Sequence, residues 1–147
     1  MQTEIQWQGG MAFDVHTASG HTVRIDGPPD LGGENSGPRP MEMLLASLGS
    51  CSAVDVVYIL RRSRADVQDC KVTVSGTRAE TDPKVFTDIH MEFVLSGAAL
   101  SPKLVERAVN LSADKYCSVA RMLEAHCNLT HSWRIADVAA APDDAGG

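Results

Sequence analysis

Apolar and polar residues alternate in three short stretches near the start of the chain. The apolar positions are Ile5 and Trp7, then Met11, Phe13 and Val15, then Val23 and Ile25. Two glycine-containing pairs, Gly9-Gly10 and Ser19-Gly20, separate the stretches. Such pairs are typical of turns between adjacent strands. The pattern predicts an antiparallel meander of three strands.

The spacing changes after residues 27–40, a segment so rich in glycine and proline that it predicts a loop. From residue 41 to about residue 62, apolar residues recur every three or four positions and also fill the other sides of the predicted helix. A helix that is apolar nearly all round is buried. Because one sheet can cover only part of such a helix, we expect a partner subunit to cover the rest, in an intimate dimer.

Alternation returns at Cys70, Val72 and Val74 and again from residue 85 to residue 95, which predicts two more strands. Ser101 followed by Pro102 predicts the start of a second helix. A short continuation over 118–126 and a last strand over 128–135 complete the order βββ-α-ββ-α-β, an α+β fold. We expect a single domain over residues 1–137 and a flexible tail over 138–147.

Composition narrows the possible partners. The 147 residues are 44% hydrophobic, which suits one domain with a substantial core. The net charge is −6, with no basic stripe, so we expect no nucleic-acid partner. The sequence has no uninterrupted run of 18 apolar residues and no leader-like start, so we expect no membrane span and a cytoplasmic location.

The cysteines are the candidates for chemistry, and they lie at positions 51, 70, 117 and 127. A lasting disulfide framework is not expected in a reducing compartment. The grouping of Cys117, His126, Cys127 and His131 fits no common zinc spacing, so we expect no metal and no cofactor. Cys51 and Cys117 both lie in helical segments that are far apart in sequence. This placement indicates a pair that meets only in the folded protein and cycles between dithiol and disulfide.

Two motifs carry a family resemblance. The first motif is the run from Gly37 through Pro40-Met-Glu-Met-Leu-Leu-Ala-Ser-Leu-Gly-Ser to Cys51, followed by Val-Asp-Val at 54–56. The second is Lys-Tyr-Cys-Ser-Val-Ala at 115–120. Together they resemble the OsmC/Ohr superfamily and, within it, the YhfA-like branch. The resemblance extends from residue 7 to about residue 133. It implies an OsmC-like intertwined homodimer in which two central buried helices are flanked by antiparallel sheets.

The resemblance also implies a thiol peroxidase that reduces organic hydroperoxides or hydrogen peroxide. Cys51 matches the attacking cysteine and Cys117 matches the resolving cysteine. The attacking thiolate becomes a sulfenic acid, which the resolving thiol converts to a disulfide. The partners implied are a small-molecule peroxide, an external dithiol reductant and a second copy of the chain.

The activating residues depart from the family pattern. Typical members have glutamate directly after the proline, where this chain has Met41, and Glu42 follows one residue later. A straight helix turns 100° per residue, which aims Glu42 away from Cys51 of its own subunit. A distortion of the helix at Gly49-Ser50, or a site shared across the dimer, would let Glu42 act as an activator; otherwise Glu42 is a first-turn acid that the helix dipole favours. For the activating arginine, Arg39 is preferred over Arg24 because it lies beside the helix start.

Asp55 lies one helical turn after Cys51 and on the same face. A carboxylate there opposes thiolate formation, unless it orients an arginine. The main prediction is a cysteine-based peroxidase with a role in oxidative-stress defence. The alternative is a small-ligand-binding or redox-sensing protein that keeps the fold and the thiols but has little peroxidase activity.

Overall fold

The computed structural model describes residues 1–137, so the predicted tail at 138–147 lies outside the described residues. The predicted order βββ-α-ββ-α-β and the α+β class are confirmed. The elements are β1 Thr3–Trp7, β2 Phe13–Thr17, β3 Thr22–Ile25, a 3-10 turn Pro29–Leu31, α1 Pro40–Arg62, β4 Asp66–Arg78, β5 Phe86–Ala98, α2 Pro102–Leu111, a π-helical turn Ser112–Tyr116, α3 Ser118–Leu123 and β6 Asn128–Ile135.

The chain divides into two compact units, of which the first covers residues 1–46. Its sheet has the strand order β1-β2-β3 with antiparallel pairing throughout, as the alternation predicted. Every residue of β1 is exposed, including Ile5 at 58% and Trp7 at 60% of their full accessible surface. This apolar strand therefore has no cover from its own unit.

A buried carboxylate organises the loop of this unit. Asp26 is 1% exposed and accepts hydrogen bonds from the backbone N–H groups of Gly27, Glu34 and Ser36 at 2.7–3.0 Å. It also accepts one from the Ser36 hydroxyl at 2.8 Å. These bonds, above all the two from Ser36, lower the pKa of Asp26 to about 2. The glycine- and proline-rich loop is thus tied to a single side chain.

The second unit begins at Ser47 and holds the sheet β4-β5-β6. β4 and β5 pair antiparallel, but β6 pairs parallel to β5, so the expectation of purely antiparallel sheets is wrong for this strand. The helical segments between β5 and β6 supply the long crossover that parallel neighbours require. The predicted alternation in β5 is confirmed, because Ile89, Met91, Phe93 and Leu95 are all buried.

Helix α1 buries only one of its faces within this chain. The buried positions are Leu48, Gly49, Ser52, Val56 and Leu60, whereas Val54 is 68% and Tyr58 63% exposed. The predicted burial on all sides is therefore not achieved by one copy of the chain.

By length and composition, α1 would also be able to cross a membrane. Its most apolar window of 18 residues has a mean hydropathy of 1.8, and 28% of that window is buried. Core helices of globular proteins meet the same criterion, so this property alone is weak support for a membrane span.

The helix approaches the second sheet closely at one residue. A Cβ atom added to Gly49 would lie 2.7 Å from Cγ2 of Val74 on β4. Ordinary carbon–carbon contacts are about 3.5–4.0 Å. The absence of a side chain at Gly49 is what allows this close packing, two residues before Cys51.

Candidate functional site

Cys51 and Asp55 occupy one face of α1, four residues apart and therefore stacked one turn above the other. Both residues are partly exposed in the single chain. The neighbouring buried face, with Leu48 and Ser52, packs in the core of the second unit. Helix α1 thus holds the Cys51 thiol and the Asp55 carboxylate at the edge of the core.

Cys117 reaches the same place by an irregular route. The π-helical turn Ser112–Tyr116 follows α2, and the backbone N–H of Cys117 donates to the carbonyl oxygen of Ser112 at 2.9 Å, five residues back. Cys117 then caps α3, because its sulfur accepts from the Ala120 N–H at 3.4 Å. The side chain is fully buried, with Sγ 3.9 Å from the carbonyl oxygen of Leu48 on α1.

The structure brings Cys51, Cys117 and Asp55 together. The two sulfurs and a carboxylate oxygen of Asp55 all lie within 4.8 Å of one another. Both thiols are free, so no disulfide joins them in this state. The sequence indicated that Cys51 and Cys117 would meet, but it placed Asp55 only beside Cys51. A disulfide would require the two sulfurs to approach to about 2.05 Å.

Burial dominates the electrostatics of the site. It raises the pKa of the Cys117 thiol, an effect that the Ser52 hydroxyl and the Ala120 N–H partly oppose and that Cys51 reinforces. Burial likewise raises the pKa of Asp55, and a hydrogen bond from Ser112 partly offsets this. Within residues 1–137, neither lysine nor arginine forms an ion pair with Asp55.

Two serines that sequence reasoning missed support the group. Ser112 Oγ lies 3.1 Å from the carbonyl oxygen of Ser52, to which it donates, and 3.4 Å from Oδ2 of Asp55. Ser52 Oγ is fully buried and has no hydrogen-bond partner of standard geometry within the described chain. Its nearness to the Cys117 sulfur still lowers the pKa of that thiol. Nothing in the local sequence distinguishes either serine from other small helical residues.

The candidate activators make contacts of a different kind. The Glu42 carboxylate accepts from the backbone N–H of Arg39 at 2.9 Å and lies 3.5 Å from its Nη1. An acid at the third helical position that reaches back to the residue before the helix is half of a capping box. Arg24 forms a two-pronged ion pair with Asp14. A role for Glu42, Arg39 or Arg24 in activating Cys51 therefore stays a prediction.

The remaining cysteines and histidines have local partners. Cys70 and Cys127 are partly buried, and burial raises the pKa of each thiol. His131 forms a hydrogen bond of 3.0 Å with Oδ1 of Asn110. The ring nitrogens of His90 contact two hydroxyls on β6, those of Thr130 and Ser132. His90 and His131 thus form hydrogen bonds to β6 and α2 within the second unit.

Comparison with known proteins defines the class of this fold and site. A family profile for OsmC-like protein matches residues 33–132. Protein YhfA of Escherichia coli strain K12 is 46% identical over 138 residues, which cover 92% of this chain and 98% of that protein. The chain belongs to the OsmC-like family, as its motifs indicated.

Solved structures agree with this placement. A hypothetical protein from Aquifex aeolicus VF5 is 36% identical, with a TM-score of 0.82 over 93% of this chain and 96% of that chain. An organic hydroperoxide resistance protein OsmC from Legionella pneumophila is 18% identical, with a TM-score of 0.65 over 90% of this chain and 96% of that chain. At that identity the similarity establishes the shared fold alone.

Proposed function

We propose that this protein is a cysteine-based peroxidase that reduces organic hydroperoxides or hydrogen peroxide. The observation that carries the proposal is the convergence of the Cys51 and Cys117 sulfurs, both free, within 4.8 Å. Family membership adds support, because a distant protein of the same fold is described as an organic hydroperoxide resistance protein. Two thiols at this separation are poised for a disulfide, which is the chemistry a two-cysteine peroxidase needs.

The reaction has two steps on the protein. The Cys51 thiolate attacks one peroxide oxygen, so an S–O bond forms, the O–O bond breaks, and the alkoxide takes a proton to leave as an alcohol. The Cys117 thiolate then attacks the sulfenic sulfur. The S–S bond forms and hydroxide leaves, protonated to water. An external dithiol, a reductant that the cytoplasm supplies, restores both thiols by thiol–disulfide exchange.

The exposure of the two residues fits these roles. Within one chain Cys51 is partly exposed whereas Cys117 is fully buried, so Cys51 is the more accessible of the two thiols. The order of attack follows from this difference: the accessible thiol meets the oxidant and the buried thiol resolves it.

We further propose that the working form is a homodimer. An apolar groove of about 370 Å³ lies along α1, lined by Ala53, Val54, Val57, Tyr58, Arg61 and Cys70. The mostly exposed Val54 and Tyr58 are the apolar positions that a second copy of α1 would cover.

Sedimentation analysis should give twice the mass of the chain, and Val54→Glu should shift the measured mass toward that of a single chain. The control Lys103→Glu, at an exposed position of α2, should leave the mass unchanged, and a single-chain mass for the wild type would refute the dimer.

The test of the peroxidase is consumption of cumene hydroperoxide or hydrogen peroxide with dithiothreitol as reductant. Cys51→Ser should abolish turnover, and Cys117→Ser should stop at a sulfenic acid that dimedone traps. Cys127→Ser is the matched control, because its thiol donates to the Leu123 carbonyl oxygen, lies outside the group of Cys51 and Cys117, and should be dispensable. A wild-type rate no faster than that of Cys51→Ser would end the proposal.

One observation favours the second candidate, a redox-sensing or ligand-binding protein. The Asp55 carboxylate lies beside both sulfurs without an ion-pair partner in the described chain, so it does not hold an arginine there that would stabilise a thiolate. A sensor would form the Cys51–Cys117 disulfide once per peroxide yet turn over slowly with dithiothreitol. Comparison of the single-turnover rate with the steady-state rate separates the two functions.

A further inference from the structure

The group of Cys51, Cys117 and Asp55 has the composition of a metal site as well as that of a redox pair. Thiolate sulfur and carboxylate oxygen are both ordinary ligands of Zn²⁺, with bonds of about 2.3 Å and 2.0–2.2 Å. A tetrahedral ion therefore holds two sulfurs about 3.8 Å apart. The three donor atoms already lie within 4.8 Å of one another, so a small contraction would place them around one ion.

The charge pattern supports a cation here. Four carboxylates in the described chain form ion pairs with arginine, and Asp55 is not one of them. Asp55 has no such partner among residues 1–137, although it faces two sulfurs that carry negative charge when ionised. A divalent cation would compensate three converging anions.

The surroundings orient the donors and leave one side of the group more accessible. Ser112 Oγ lies 3.4 Å from Oδ2 of Asp55, which is the kind of outer contact that orients carboxylate ligands. Cys117 is fixed by its place at the start of α3 and by burial. Within one chain Cys51 and Asp55 are partly exposed, so they form the more accessible side of the group.

We propose that the reduced protein binds one thiophilic divalent cation, of which Zn²⁺ fits best, through Cys51 Sγ, Cys117 Sγ and the Asp55 carboxylate. Three protein ligands leave a fourth tetrahedral position for water or another small ligand. Soft sulfur ligands select against Mg²⁺ and Ca²⁺, which prefer oxygen. The expectation of no metal site considered the spacing of Cys117 with Cys127 and the histidines, and these are not the residues that converge.

Binding and oxidation exclude each other because both use the same sulfurs. Hydrogen peroxide converts two thiols into one disulfide and yields two molecules of water, so the sulfurs are no longer thiolates. The oxidised protein therefore loses the site, and a bound ion shields both thiols from peroxide. Metal binding does not depend on the proposed peroxidase activity, whereas the shielding does.

The experiment is a titration of the chelator-treated, fully reduced protein with Co²⁺ in the absence of oxygen. We expect one Co²⁺ per chain, a sulfur-to-cobalt charge-transfer band, and displacement by Zn²⁺. Cys51→Ser and Cys117→Ser should each weaken the band and the affinity by at least about 10-fold, as should Asp55→Asn for the affinity. Cys127→Ser, which removes a partly buried thiol outside the group, should match the wild type.

The wild-type protein supplies a second measurement that needs no variant. Oxidation of the metal-free protein with one equivalent of hydrogen peroxide, before cobalt is added, should prevent the band. Reduction with dithiothreitol, which is removed before cobalt is added again, should restore it. Absence of a charge-transfer band in the reduced wild type would overturn the proposal, as would undiminished cobalt binding in Cys51→Ser and Cys117→Ser. Cobalt binding without peroxide turnover would refute the peroxidase and support the metal site. Peroxide turnover without the charge-transfer band would refute the metal site and support the peroxidase.

Discussion

The close packing of α1 on β4 at Gly49 allows the effect of Gly49→Ala on the free energy of unfolding to be predicted. In Gly49→Ala the new Cβ would lie 2.7 Å from Cγ2 of Val74, about 1 Å closer than an ordinary contact. Overpacking of this kind costs about 1–3 kcal/mol. Alanine returns about 1 kcal/mol through its higher helix propensity. We therefore expect a net loss of about 1 kcal/mol in the free energy of unfolding.

A double-mutant cycle isolates the contact responsible. Val74→Ala removes the obstructing methyl group, so Gly49→Ala should be much less harmful in that background, with a coupling of about 1 kcal/mol. Val72 is the matched control, because its Cγ1 would lie 3.9 Å from the new Cβ, an ordinary distance. The cycle of Gly49 with Val72→Ala should show little coupling.

The assay is urea denaturation of the reduced protein at one fixed concentration, since any oligomer makes stability concentration-dependent. The unfolding midpoint should fall for Gly49→Ala with the slope unchanged. A Gly49→Ala protein as stable as the wild type, or equal coupling to Val72 and Val74, would refute the packing argument.

Three further predictions concern polar groups. The folded pKa of Asp26 is about 2, below its usual 3.8, so the stabilisation from this carboxylate is complete above about pH 4 and is lost as the pH falls toward 2. Urea unfolding midpoints should show this loss in the wild type and not in Asp26→Asn. Glu42→Ala should lower the free energy of unfolding by about 0.5–1 kcal/mol, whereas Glu42→Gln keeps the capping hydrogen bond and should match the wild type. A fall in peroxide turnover in Glu42→Gln at wild-type stability would reveal an activating role instead. Ser112→Ala should lower the free energy of unfolding by about 0.5–1.5 kcal/mol because it removes a buried hydrogen bond. Ser52→Ala removes a buried hydroxyl that has no hydrogen-bond partner of standard geometry in the described chain, so it should be neutral or stabilising. Equal losses of stability in thermal denaturation would contradict this difference.

Periodicity predicted the elements because burial repeats every second residue on a strand and every three or four on a helix. In β5 the alternation located the buried face from Ile89 to Leu95 correctly. The parallel direction of β6 was not predicted, since side-chain alternation is the same for either direction of pairing. The length of chain between β5 and β6 was the available signal, because it leaves room for a crossover.

The candidate site was predictable only in part. Cys51 and Asp55 share a helix, so their spacing alone places them together. The approach of Cys117 depends on the π-helical turn before it, which has no recognisable sequence signature. The role of Asp26 was likewise hidden, because its donors are backbone N–H groups of a loop whose path the sequence does not specify.

The π-helical turn has a consequence for how this chain tolerates changes in length. A turn of this kind spans about one residue more than an α-helical turn, and each residue rotates a helix by about 100°. A chain one residue shorter between Leu111 and Cys117 would relax into regular helix and swing the Cys117 sulfur away from α1. The number of backbone units between Leu111 and Cys117 thus decides whether the two thiols meet. A single-codon deletion in this segment would separate them without replacing Cys51, Asp55 or Cys117.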